Sequence, residues 1–285
     1  LIAANALSDP VGAATKTTLP QGTGPVDVLY AGSLVTLMQQ QIGPAFQKAT
    51  GYTVNGVSAG SKALATQIKG GIQQADVFIS AAPDVNATLE GPAGGGWITW
   101  YAAFGSSPLV LGYNPHSAFA SALKNKPWYK VVTEPGFLLG RTDPATDPKG
   151  TLAVEALDYT SVSYSIPALK DMTSSTTTVF PETTLVGRLQ AGQLDAGFFY
   201  AVEAAAAKIK TVPLKGTTHL AATYTITILN RAPHEDAARA FVAFLLGKES
   251  QKILKVNGVT TVQPPVVTGA SSIPSNVKAL FKSKK

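Results

Sequence analysis

Residues 26–62, VDVLYAGSLVTLMQQQIGPAFQKATGYTVNGVSAGSK, decide how this chain is read. An apolar run, Val26–Tyr30, leads through Ala31-Gly32-Ser33 into a segment with Leu34, Leu37 and Met38 on one helical face. A second apolar run, Tyr52–Val57, leads through Ser58-Ala59-Gly60-Ser61 into Lys62–Lys69. Each turn carries a serine at a predicted helix start. That end of a helix has unpaired N–H donors and partial positive charge. Two such starts converging on one point make a seat for a small anion with no charged side chain. Ser33 and Ser61 are the first candidate ligand residues. N-capping of their own helices uses the same atoms.

Working outward, Gly43-Pro44 is expected to interrupt the first helix, which resumes over Ala45–Thr50 and stops at Gly51. Ala75–Ser80 is a third, almost continuously apolar strand. The β-α-β-α-β order predicts a parallel sheet with right-handed crossovers. Ligands of such sheets bind beyond the carboxyl ends of the strands, where both serine turns and Ser80 lie. Pro108–Tyr113 reads as a strand leaving this first lobe. Gly136–Gly140, the loop 141–150, helices from about Thr151 and over Glu182–Ala191, and the strand Asp195–Tyr200 make a second. Thr223–Leu229 returns, and helices Pro233–Leu246 and Ser250–Val256 close the chain. The expectation is an α/β chain of two lobes with mixed sheets and a two-strand hinge. Residues 1–24 form a flexible leader, 25–105 plus 226–285 lobe I, and 106–225 lobe II.

Composition narrows the function classes. The 285 residues suffice for two cored lobes. With only 14% charged residues, the surface is expected to be neutral and hydroxyl-rich. The net charge of +6 suits an anionic ligand. Its lysines are scattered, and the densest group, Lys278, Lys282, Lys284 and Lys285, reads as a solvated tail without the interleaved aromatics of a nucleic-acid surface. Having no cysteine, the chain carries no disulfide, thiol nucleophile or Cys-based metal site. No run reaches the roughly 18 apolar residues of a membrane span. Leu1–Leu7 reads as the remnant of an export signal, so the expected location is periplasmic or extracellular, with anchoring through a removed or missing N-terminal segment open. His116, His219 and His234 stand apart in sequence, without metal-ligand spacing. No nucleophile–base motif or acid pair supports an enzyme, although Asp143, Asp147 and Glu203 are available acids.

The ordered motifs AGSL (31–34), AGSKALATQIKGG (59–71), ADVFISA (75–81), TDPATDPKGT (142–151), GQLDAGFFYAVEA (192–204) and the tail around AFLLGKESQKIL resemble the molybdate/tungstate-binding proteins of ABC transporters, of the type 2 periplasmic binding fold. The resemblance runs from about Val26 to Pro265. It implies a monomeric receptor with no cofactor. The receptor holds molybdate or tungstate as a tetrahedral oxyanion and delivers it to a membrane permease. It assigns Ser33 and Ser61 as hydroxyl ligands and Tyr200 as the tyrosine of the second lobe. A backbone N–H near Lys149 is a donor, and Asp147 lies in the same loop. Glu182 falls at a further backbone donor, with no part required of its side chain. Archaeal-type members complete an octahedral site with an Asp and a Glu. Asp147 matches the Asp, but Phe199 stands at the Glu position, which favours four-coordination. Asp147 is then expected to cap its loop or pair with a nearby base. Lys62 replaces a small residue, and whether it faces the cleft is open. Every ligand group in this reading donates, which disfavours a protonated phosphate. Another small anion, such as sulfate or a carboxylate, and a sensory or scaffold role are the alternatives.

Overall fold

The computed structural model describes residues 19–217, 219–273, 275–278 and 281. Most of the expected leader, and lysines 282, 284 and 285 of the terminal group, lie outside the described residues. No helix among the described residues is long and apolar enough to cross a membrane.

Among the described residues, ten strands are arranged around one long ribbon. They are β1 (Pro25–Ala31), β2 (Thr53–Ala59), β3 (Val77–Ser80), β4 (Tyr101–Tyr113), β5 (Leu139–Thr142), β6 (Val179–Phe180), β7 (Ala196–Tyr200), β8 (Lys210–Pro213), β9 (Ala221–Ile228) and β10 (Thr260–Thr268). The hydrogen-bonded order is β2-β1-β3-β9-β4-β7-β5-β6, with β8 and β10 also on β4. At one end β1 pairs in parallel with β2 and β3, as the apolar runs joined by helices required. At the other, β5 pairs in parallel with β6 and β7. The antiparallel pair β4/β9 joins them.

β4 is longer than the expected strand at 108–113. Its first part pairs with β9 as far as Pro108↔Ala221 and also with β10. From Leu109 onward it pairs with β7 and β8 instead. The change of partners falls at Pro108, which has no N–H to give to a ladder. One strand thus belongs to both sheets, and the mixed sheets meet along it.

β1 shows how the sequence pattern becomes a core. Val26, Val28 and Tyr30 pack into the largest apolar cluster, whereas Leu29 packs with Leu64, Ile68 and Phe78 on the opposite face. Successive side chains of a strand point to opposite faces, so a strand covered on both sides must be apolar throughout.

The first helix is not interrupted at Gly43-Pro44. A 3-10 turn (Gly32–Leu34) and one α-turn (Val35–Leu37) pass into a π segment, Met38–Ile42, and then into the α-helix Gly43–Thr50. The Gly43 N–H reaches back to the Met38 carbonyl. This wider turn lets the ring of Pro44 follow without breaking the helix.

Away from the serine turns, Asp76 ties the opposite end of lobe I together. Its carboxylate accepts from the Asp27 N–H at 2.7 Å and the His234 N–H at 2.6 Å, and it meets His234 Nδ1 at 3.0 Å. Asp76 is fully buried. His234, isolated in sequence, is therefore grouped with two aspartates, and one ligand atom from each of the three lies within 4.8 Å of the others. His116 and His219 are exposed. Asp76→Ala removes two charge-assisted hydrogen bonds and strands two N–H groups. It is expected to cost about 3 kcal/mol. A urea midpoint equal to that of the unsubstituted protein would show that these contacts contribute nothing.

Candidate functional site

The parallel register brings the two serine turns side by side. Ala31 and Ala59 are paired neighbours at the ends of β1 and β2, and Ser33 and Ser61 each follow two residues later. The Ser61 hydroxyl accepts from the Ala81 N–H, just past β3, at 3.0 Å. It therefore reaches across the end of β1, which lies between β2 and β3. The Ser33 hydroxyl lies 2.9 Å from the Tyr224 hydroxyl of β9. Both serines are buried.

The second lobe closes on these turns. The Ala63 N–H donates to the Thr146 carbonyl at 3.0 Å. Lys62 Nζ donates to the Pro144 carbonyl at 2.8 Å and to Thr151 Oγ1 at 2.9 Å. Lys62 thus bridges the two lobes. Two glycines make the approach possible. A Cβ on Gly60 would collide with the Thr146 carbonyl oxygen, and one on Gly32 with the Glu182 carboxylate. A cavity of about 350 Å³ opens beside this contact, lined by Ala59, Gly60 and Ala63 on one side and Asp143, Thr146 and Glu182 on the other.

At the centre is a buried ionic group. Lys149 is 0% exposed. Its Nζ lies 2.7 and 2.9 Å from the two carboxylate oxygens of Glu203, and 3.3 Å from Glu182 Oε1. It also stands 5.5 Å from the centre of the Phe199 ring and 6.0 Å from that of Tyr200. Burial works against the Lys149 ammonium, but Glu203, Glu182 and Asp147 outweigh it and hold its pKa above the usual lysine value. The acids shift upward as well, which for them favours the neutral form. Burial raises Glu182 to about 8 against the pull of Lys149, and it also raises Glu203 and Asp147.

Asp147 caps the helix Pro148–Tyr164, its Oδ1 accepting from the Lys149 N–H at 3.2 Å. The backbone donor assigned to Lys149 is thus engaged inside its own loop in this structure, and the expected capping role of Asp147 is what the geometry displays. Asp147 Oδ2 and the hydroxyls of Tyr200 and Thr142 are buried without a hydrogen-bond partner. The phenols of Tyr200 and Tyr224 are raised well above the ordinary value, by burial first and then by the surrounding carboxylates. Both remain hydroxyls able to donate.

The side chain of Glu182 is half of an ion pair, whereas the sequence reading asked only for its backbone. Lys149, likewise, contributes its ammonium. Sequence reasoning did not select Tyr224 or Thr142, and it left Glu203 as an unassigned acid. Tyr224 carried a signal in the alternation of Thr223–Leu229, which puts it on the inward face of the return strand. Glu203 carried one as well: it lies three residues past Tyr200, and its carboxylate accepts from the Tyr200 N–H at 3.4 Å, closing the start of helix Ala201–Ala206. Phe199 packs with Leu185, Leu189 and Leu194 on the side away from polar groups other than the Lys149 ammonium.

The profile of the family described as bacterial extracellular solute-binding protein matches residues 26–260. The molybdate/tungstate-binding protein WtpA of Pyrococcus abyssi is 22% identical over 325 residues, covering 94% of this chain and 93% of its own. Among solved structures, the periplasmic molybdate-binding protein of Azotobacter vinelandii has a TM-score of 0.64 at 20% identity, covering 84% of this chain and 100% of its own. The sulfate-binding protein SubI of Mycobacterium tuberculosis H37Rv has a TM-score of 0.63 at 16% identity, covering 91% of this chain and 90% of its own. The two-lobe type 2 periplasmic binding fold expected from the sequence is the fold observed. Among the solved structures it matches, the same fold is that of proteins described as binding proteins.

Two outcomes follow from the buried charges. Lys149→Met leaves Glu182 and Glu203 buried without their cation and is expected to cost about 3–5 kcal/mol in urea unfolding. A loss below about 1 kcal/mol would show that both acids are already neutral. The second outcome concerns pH. The folded-state pKa values of Asp147, Glu182 and Glu203 all lie above the ordinary carboxylate values of roughly 4. In that window the folded chain holds more protons than the unfolded one, so this contribution to stability is fully present below the ordinary values and is lost as the pH rises through about 8. Melting temperature measured from pH 5 to 8 is expected to carry this downward slope, and Glu182→Gln to flatten it. An identical slope in the variant would remove Glu182 from the account.

Proposed function

This chain belongs to the bacterial extracellular solute-binding proteins, and on that premise we propose that it is a receptor capturing molybdate or tungstate for an ABC importer. The observation that carries the reading is the pairing of the two serine turns at the adjacent ends of β1 and β2, with Ser33 Oγ 2.9 Å from the Tyr224 hydroxyl and the second turn held against the loop before Asp147 by the Ala63–Thr146 hydrogen bond. In this reading lobe I comprises 25–105 plus 226–285 and lobe II 106–225.

A small oxyanion loses a large hydration energy on entering the space between the lobes, and converging neutral donors replace it. The serine turns of lobe I receive the ion first. Closure then adds the Tyr200 hydroxyl from lobe II. Lys62 fastens the closed form by its contacts to Pro144 and Thr151. The closed form is the one a permease recognises, and the chain acts as a monomer. The Lys149–Glu203 pair sets the shape of the lobe II wall, and Asp147 and Glu182 stand at its edge. The likeness to the sulfate-binding protein supports a second reading in which the same donors hold sulfate.

Calorimetry with the full chain distinguishes the two. Molybdate and tungstate, alike in charge and nearly in size, are expected to bind equally. Sulfate is smaller, leaves donors stretched, and is expected to bind at least about tenfold more weakly, roughly 1.4 kcal/mol. Ser33→Ala together with Ser61→Ala is expected to cost several kcal/mol, at roughly 1.5–3 kcal/mol for each hydrogen bond to a charged group. Equal binding of sulfate favours the second reading. Unchanged affinity in the double variant returns both serines to capping alone.

A further inference from the structure

A second cluster of ligand-bearing side chains lies at the far edge of lobe I. The serine turns follow the carboxyl ends of β1 and β2. Asp27, by contrast, stands near the start of β1, Asp76 immediately precedes β3, and His234 immediately precedes the helix Glu235–Leu245. One nitrogen and two oxygens meet there. His234 Nδ1 lies 3.0 Å from Asp76 Oδ2 and 3.7 Å from Asp27 Oδ2, and all three atoms lie within 4.8 Å of one another. One ring N–H can serve the nearer oxygen but not the farther, which is beyond hydrogen-bond reach. Asp27 Oδ2 takes no hydrogen bond among the described residues. Nor does any lysine or arginine among them pair with either carboxylate, although the Asp76 side chain has no solvent exposure. Two carboxylates, one wholly buried, thus face a single imidazole, and a cation is the missing charge.

We propose that Asp27, Asp76 and His234 bind a divalent transition-metal ion of the zinc type. Zinc takes carboxylate oxygen and imidazole nitrogen at about 2.0–2.2 Å, so its ligand atoms stand about 3.4 Å apart in a tetrahedron. The separations of 3.0 and 3.7 Å straddle that value. Surrounding hydrogen bonds orient the ligands, as the partners around a metal site do. Asp76 accepts the Asp27 backbone N–H on Oδ2 and the His234 backbone N–H on Oδ1. Asn55 Nδ2 donates to Asp27 Oδ1 at 2.7 Å, which leaves Oδ2 for the ion. The His234 and Asp27 side chains are 40% and 25% exposed, so the ion enters from solvent and water completes its shell. Bound there, it ties β1, the entry to β3 and the helix Glu235–Leu245 together without touching the serine turns. One imidazole with two carboxylates is a poor match for magnesium, which asks for octahedral oxygen ligands. The site does not depend on the oxyanion reading.

Thermal unfolding of the full chain, stripped with EDTA and then given zinc chloride, reads the site. Zinc is expected to raise the melting temperature by several degrees, and calorimetry to count one ion per chain. Magnesium chloride is expected to do neither. His234→Ala and Asp27→Asn are each expected to abolish the zinc shift. Both keep the backbone N–H groups that hold Asp76, so both are expected to fold. Asn55→Ala, which frees the Asp27 carboxylate to turn, is expected to weaken zinc about tenfold. Molybdate affinity in His234→Ala, measured without zinc, is expected to equal that of the unsubstituted protein. Equal melting in zinc and in EDTA overturns the proposal and leaves the oxyanion reading standing. A shift that survives in both His234→Ala and Asp27→Asn places zinc elsewhere, for example between His219 and Glu155, and overturns it as well. A magnesium shift equal to that of zinc overturns the class of ion. The comparison of zinc with EDTA on the unsubstituted chain tests the proposal even if neither variant folds.

Discussion

The interaction on which the site depends is the contact of Lys149 with Glu203 and Glu182. A lysine with no solvent exposure is tolerable only where anions surround it closely. Glu203 does so with both oxygens, and Glu182 adds a third contact from the start of another helix. Lys149 is the second residue of the helix Pro148–Tyr164, Glu203 belongs to the helix that follows β7, and Glu182 opens the helix Glu182–Gln190. One ammonium thus fixes three helix starts of lobe II relative to one another. Those starts present Asp147, the Tyr200 hydroxyl and the Glu182 carboxylate to the serine turns opposite.

That arrangement is useful only because the lobes can meet. Gly60 lets its backbone approach the Thr146 carbonyl, where a side chain would collide, and Gly32 leaves room for the Glu182 carboxylate. Lys62 then crosses to lobe II with two hydrogen bonds, both at exposed or half-exposed positions. Such contacts are individually modest and solvent-competed. A clasp of that strength suits a receptor that must reopen. The joint itself is β4 with β9, and β4 changes its sheet partners at Pro108. The strand that separates the lobes is therefore also the one that connects them.

The same physics that binds the lobes constrains the ligand. Hydroxyl and backbone donors compensate a dehydrated oxyanion, but the acids that secure Lys149 bring negative charge into the same volume. Burial favours the neutral forms of Asp147, Glu182 and Glu203.

Much of this was legible in the residues themselves. The alternation of apolar runs with helical faces forces parallel pairing at the start of the chain. The spacing of Ser33 and Ser61 behind those runs puts both at one sheet edge, because a strand end in a parallel sheet has only one direction to face. Capping by Asp147 was readable too, since an Asp-Pro step before a helical run offers a carboxylate to the first free N–H groups. Other features were decided only in three dimensions. Ser33 meets Tyr224 across 191 positions of sequence, and Lys149 meets Glu203 across 54. Neither pair leaves a local pattern, because their partners are chosen by strand order and not by spacing. The continuity of the first helix through Pro44 depended on the π segment Met38–Ile42, whose wider turn no residue pattern announces. The buried ion pair between the Lys149 and Glu182 side chains was hidden for the same reason. A sequence shows which groups can carry charge, but burial and proximity decide how strongly each one acts, and both are properties of the folded chain.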